Sequence, residues 1–174
     1  MNTVLSQLQH EIASSLQGLS SDQTQLRPST PGKWSTQQII EHLLLTYTMS
    51  ETALNARLTK GRPTQARSTA FQRIQQFAVC NYGYFPHGRK APEMVTPPPT
   101  AHPLSGNELS TATHDHLTHL DILCNECEQR FGTTQFAAHN VLGPLNVNQW
   151  RRFQLAHGRH HLKQIAAIRQ ANKL

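Results

Sequence analysis

No apolar run in this chain approaches the ~20 residues that a bilayer-spanning helix needs, which argues against a helical integral membrane protein. The opening residues, Met1-Asn2-Thr3-Val4-Leu5-Ser6-Gln7, lack both a basic start and an apolar h-region. No secretion signal is therefore expected, and the cytoplasm is the expected location. Cysteine is scarce: three residues, an odd number, cannot form a full disulfide framework. Cys124-Asn125-Glu126-Cys127 matches C-x-x-C, but it falls inside a predicted helix and no second such motif exists. It reads as small buried thiols, and Cys80 reads the same way. Period-2 alternation is missing, so no strands are predicted. Neither a G-x-S-x-G elbow nor a Gly-rich phosphate loop is present, which removes two common enzyme classes. Acidic residues are few, 10 against 16 Lys and Arg, giving a formal net charge of +6. The basic residues are dispersed, with no dense run interleaved with aromatics. They read as a solvated surface and argue against a nucleic-acid partner.

What remains is helical periodicity. The hydrophobic fraction is only 37%, but the apolar residues recur at helical spacing, and 174 residues suffice for one domain, 1–174, with a real core. Five helical stretches are predicted. The first runs from about Thr3 to Leu19 with Val4, Leu5, Leu8, Ile12 and Leu16 on one face. The second runs from about Ser35 to Lys60, opened by a Ser35/Gln38 capping box and stopped by Gly61 and Pro63. The third covers about Thr64 to Val79, with Ala70, Phe71, Ile74, Phe77 and Ala78. A long connection rich in Pro and Gly, Asn81 to Pro103, then acts as a lid, a pocket wall or simple packing across the bundle. The fourth helix spans about Ser105 to Phe131, and the last follows Asn146, whose spacing to Gln149 resembles another cap. The fold class is all-α, an up-and-down bundle with a long crossover and an extra helix. No helix face is so apolar that it demands a partner.

Histidine supplies the chemistry. The segment Ala156-His157-Gly158-Arg159-His160-His161 places His157 and His161 four apart, one turn above the other. With His157 at zero on a wheel of about 100° per residue, Trp150 and Ile168 fall near 20°, His161 near 40° and Phe153 near −40°. The two imidazoles thus interrupt the inward stripe, where a polar group needs a hydrogen bond or a metal. His42 likewise lies among Ile39, Leu45, Met49 and Ala53 on the second helix. Three inward histidines on two helices suit a divalent metal held between facing elements. His116, on the inward stripe of the fourth helix, is a candidate supporting group or an additional ligand, and more simply a core histidine. His160 and Gln164 could orient a substrate or a ligand. Glu41 lies on a different face from His42. His10, His87, His102 and His139 have no informative partner.

The arrangement resembles the DinB-like superfamily of metal-binding bundles, in an uncharacterised bacterial branch. The resemblance rests on His42 within Trp34-Ser35 through Glu41-His42-Leu43, and on the His157/His161 pair. Phe85-Pro86-x-Gly88-Arg89-Lys90-Ala91-Pro92-Glu93 and Gly143-Pro144-Leu145-Asn146-x-Asn148-Gln149-Trp150 add to it. Asn140, where a proline is usual after the histidine at 139, departs from the pattern in a loop. The resemblance implies a four-helix bundle of up-down-down-up type, with His42, His157 and His161 as metal ligands. Zinc or nickel is the first expectation, with iron and manganese also compatible with imidazole. It further implies a metal-dependent thiol transferase, thiol-dependent isomerase or hydrolase acting on a small molecule such as a thiol, and a homodimer in some members. A non-catalytic metal-binding bundle is the alternative.

Overall fold

The computed structural model describes residues 1–28, 30–85 and 90–174. Pro86, Gly88 and Arg89 of the central motif lie outside the described residues. Four long helices carry the fold: α1 (Thr3–Leu16), α3 (Thr36–Lys60), α5 (Gly106–Phe131) and α6 (Val147–Ala171). A single helical turn, α2 (Ser21–Thr24), follows α1, and a short helix, α4 (Ala70–Gln76), follows α3. Capping boxes open α3 (Ser35/Gln38), α5 (Ser105/Glu108) and α6 (Asn146/Gln149), so each start is fixed by satisfying otherwise orphaned backbone donors. Gly61, with φ of 65°, ends α3 in the left-handed conformation that suits glycine.

Side-chain pairings fix the directions. Glu11 meets Arg159, and the Ser15 and Gln17 carbonyls accept from Arg169, so α1 and α6 run parallel. Glu51 meets His116 and Gly61 lies against Arg130, so α3 and α5 run parallel as well. Ser50 accepts from Gln154 while His42 sits beside His157, which makes α3 and α6 antiparallel. The bundle is therefore all-α with up-down-down-up topology, as the resemblance implied. Its core falls into two clusters. Leu5, Leu8, Ile12, Leu43, Tyr47, Leu117 and Ile165 fill one end. Leu54, Leu123, Cys124, Cys127, Phe136, Trp150 and Phe153 fill the other. Each fully buried apolar side chain contributes roughly 1.5–3 kcal/mol. The three cysteines are free and buried, and burial pushes the Cys124 thiol up to about 12, which leaves it inert as a nucleophile.

Three expectations change. The third helix begins at Ala70, capped by Thr69, and not at Thr64. Its apolar residues face outward: Phe71, Ile74 and Phe77 are 65%, 66% and 56% exposed. The third stretch is thus periodic without being core, and one helix face is left apolar after all. It passes into a π-helical segment, Phe77–Asn81. Strands also exist: β1 (Ala137–His139) pairs antiparallel with β2 (Gly143–Leu145), Ala138 opposite Pro144. Three residues a side are too few for an alternating pattern to register. Among the described residues no helix is long and apolar enough to cross a membrane.

The long connection is tied down where it rejoins the bundle. Gln37, 2% exposed, accepts from the Leu104 N–H and the Gln25 amide through Oε1, and donates to the His102 carbonyl and Glu41 Oε1 through Nε2. At the next step α5 begins against α1: the Gly106 N–H donates to the Leu19 carbonyl at 2.9 Å. A Cβ at Gly106 would lie 2.0 Å from the Leu16 carbonyl oxygen, which is backbone and cannot swing aside. Gly106→Ala is expected to destabilise the protein by about 1–3 kcal/mol through this overpacking. Urea unfolding should show a lowered midpoint with an unchanged slope; an unchanged midpoint would refute the close approach.

Candidate metal centre

His42, His157 and His161 meet between α3 and α6, and all three are buried, 4%, 6% and 7% exposed. His42 Nε2 is 3.2 Å from His157 Nε2, and His161 Nε2 is 3.1 Å from the same atom. The tautomers follow from the other ring nitrogens. His42 Nδ1 lies 2.7 Å from the Val95 carbonyl oxygen, which can only accept, so Nδ1 carries the proton. His161 Nδ1 lies 3.1 Å from Gln164 Oε1 and donates to it. In their neutral forms both rings therefore turn a bare Nε2 lone pair inward. His157 could donate its own Nε2–H to only one of them. At least one pair of lone pairs would then face each other at close range, which a shared cation resolves and a proton network does not.

The donor set fits a metal. A metal–nitrogen bond of about 2.0–2.1 Å in tetrahedral geometry sets ligand nitrogens about 3.3 Å apart, close to the separations observed. Burial works in the same direction by keeping the rings neutral, the form that ligates. Burial lowers His42, and it lowers His161 to about 3 with help from His42 nearby. Burial holds His157 well below the usual histidine range, reinforced by His161 and His42. His157 Nδ1 is itself buried without a hydrogen-bond partner among the described residues, as is Gln154 Oε1 one turn earlier.

Aromatic rings wall the cluster. Trp34, just before the α3 cap, stands 5.0 Å from His42 and stacks at 6.4 Å on His161. Phe153 stacks on His157 at 5.5 Å, and Phe85 lies 5.0 Å from His157 and 5.2 Å from His160. The crossover thus supplies both a hydrogen-bond acceptor, Val95, and a wall residue, Phe85. These contacts bring it against the three histidines.

The other candidates distribute as follows. Gln164 bonds His161 as anticipated, and its Nε2 lies 3.4 Å from His160 Nε2. Glu41 turns to Gln37 and stays out of the cluster. His116 does not join it either; its Nδ1 lies 3.0 Å from Glu51, about 13 Å of helical rise beyond His42 on α3. Two participants escaped the sequence reading. Val95 acts through a backbone carbonyl, which leaves no residue signature. His139 stands at the hairpin, where its Nδ1 accepts from the Val141 and Leu142 N–H groups. Burial lowers it to about 4, and its ring lies 4.4 Å from Phe153. The hairpin that explains this placement was itself not predicted.

An all-α bundle with three histidines converging from an early and a terminal helix defines a class of protein compatible with metal binding. The family model of the DinB superfamily matches residues 5–165, and the chain belongs to that superfamily. No curated protein and no solved structure matches it significantly.

The depressed histidines make a prediction for the metal-free protein. In the unfolded chain these imidazoles take up protons near pH 6.5, whereas folded His161 resists protonation down to about 3. The unfolded state binds more protons across that window, so stability is greatest above about pH 6.5 and falls as the pH drops towards 3. Melting of chelator-treated protein should show a midpoint that declines steadily from about pH 7 to about pH 4. A midpoint that stays level there would show that the three rings are not held neutral.

Proposed function

We propose that this DinB superfamily protein is a metal-dependent enzyme whose cation is held by His42, His157 and His161. One observation carries the reading: three buried, neutral imidazoles present Nε2 to a common point, two of them with the tautomer fixed by Val95 and Gln164. Three protein ligands leave at least one coordination position for water or a substrate atom, the pattern of catalytic sites and not of closed structural ones. A bound cation would supply Lewis acidity, able to hold a thiol as thiolate or to lower the pKa of water.

The chain's own residues do the rest. Val95 and Gln164 orient two of the rings, and such partners typically account for 10–100-fold in affinity. Trp34, Phe85 and Phe153 surround the histidines with aromatic rings that limit water and would pack against a small organic substrate. The reaction classes supported by this arrangement and by family membership are thiol transfer, thiol-dependent isomerisation and hydrolysis. An all-imidazole donor set suits zinc or nickel ahead of harder cations. Three free thiols suit a reducing compartment such as the cytoplasm. A second reading, a non-catalytic site that braces the bundle, draws on the ligands coming from two different helices, α3 and α6.

Elemental analysis of purified protein should find tightly held metal at about one ion per chain. His157→Ala, or the milder His161→Gln, should abolish that tight equivalent and the rise in melting temperature on metal addition. Tight metal retained by either variant would overturn the assignment. Turnover of thiol and ester substrates by the loaded protein separates the enzyme from the brace.

A further inference from the structure

Elsewhere, between α3 and α5, two histidines share one carboxylate. Glu51 is only 9% exposed. His116 Nδ1 lies 3.0 Å from its Oε1, and His119 Nδ1 lies 3.3 Å from its Oε2. No Lys or Arg forms an ion pair with this carboxylate among the described residues. A carboxylate so nearly buried needs donors, and two imidazoles supply them from one helix. His116 and His119 are three apart on α5 and so lie on one face.

The direction of these contacts matters. When both rings are neutral, each Nδ1 carries its proton toward Glu51, and each Nε2 is left with a bare lone pair. The side chains of His116 and His119 are 36% and 53% exposed, so their outer edges reach solvent. A carboxylate behind an imidazole is the arrangement that fixes tautomer and ring orientation in metal-binding histidines and raises their basicity. Here one carboxylate serves two rings.

We propose that His116 and His119 form a second, solvent-facing site for a divalent cation of the imidazole-preferring kind, such as zinc, copper or nickel, with Glu51 as the positioning residue behind both. Two imidazoles leave the remaining coordination to water, so this site exchanges its ion and binds more weakly than a three-ligand site. Its ligands are distinct from His42, His157 and His161, and it stands whether or not those three hold a metal. The competing occupant is the proton: two imidazolium rings would satisfy Glu51 equally well as an ion pair and would bind no metal.

Zinc titration of the metal-free, full-length protein, followed by calorimetry and by competition with a chromophoric chelator, tests the proposal. In the wild type a weaker equivalent is expected that survives His161→Gln. His119→Ala, a change at a largely exposed side chain, should remove that equivalent while leaving tight binding and the helical circular dichroism intact. Glu51→Gln should retain it but weaken it by about 10-fold or more. Imidazole nitrogen spectra should show the Nε2 resonances of His116 and His119 shifting with the weaker equivalent. A wild type that takes up no equivalent beyond the tight site overturns the proposal, and so does weaker binding unchanged by His119→Ala. Loss of the tight equivalent alone bears on the three-histidine reading and not on this one.

Discussion

Two neighbouring helices that run in the same direction cannot be joined by a tight turn. The chain leaving the end of one must travel back along the bundle before it can start the other. In this protein α3 and α5 are such a pair, and the return lies between Lys60 and Gly106. Much of what is distinctive about the molecule follows from that constraint. The returning segment brings Phe85 onto the face of His157 and the Val95 carbonyl onto His42. Gln37 then anchors it with two hydrogen bonds, to the His102 carbonyl and from the Leu104 N–H, just before α5 begins. A bundle with antiparallel neighbours throughout would have had no such segment, and the histidines would have lacked this cover.

The cost of the centre is carried by its surroundings. Three imidazoles facing inward oppose burial, and each must either stay neutral or find a partner. Val95 and Gln164 settle two of them by accepting a hydrogen bond from the N–H that a neutral ring carries in any case. His157 has aromatic contacts on its faces but, among the described residues, no acceptor at Nδ1, so of the three its hydrogen bonding is least complete. The site also sits at the seam of the two core clusters on α6, after Ala156 and before Leu162.

Much of this was legible in the sequence, for identifiable reasons. Ser35/Gln38 and Asn146/Gln149 announced two helix starts because capping is local chemistry, independent of the rest of the fold. The wheel put His42, His157 and His161 inward because long helices carry enough turns for a stripe to register. Failures came where tertiary packing decides. The periodicity of Phe71, Ile74 and Phe77 is genuine, but nothing in it says which side of a short helix meets the core. Residues 137–145 are too brief to show alternation. Glu51, an acid inside a predicted helix, showed no link to His116 until α3 and α5 were laid side by side.

The imidazoles at 42 and 157 stand 115 positions apart along the chain. A polypeptide emerging from the ribosome thus carries its first would-be ligand long before the other two exist. Until α6 has been synthesised and docked, His42 is a lone histidine with no special affinity for cations. Acquisition of an ion at that centre would consequently be a late event, reserved for molecules that have already folded, with truncated products barred from it.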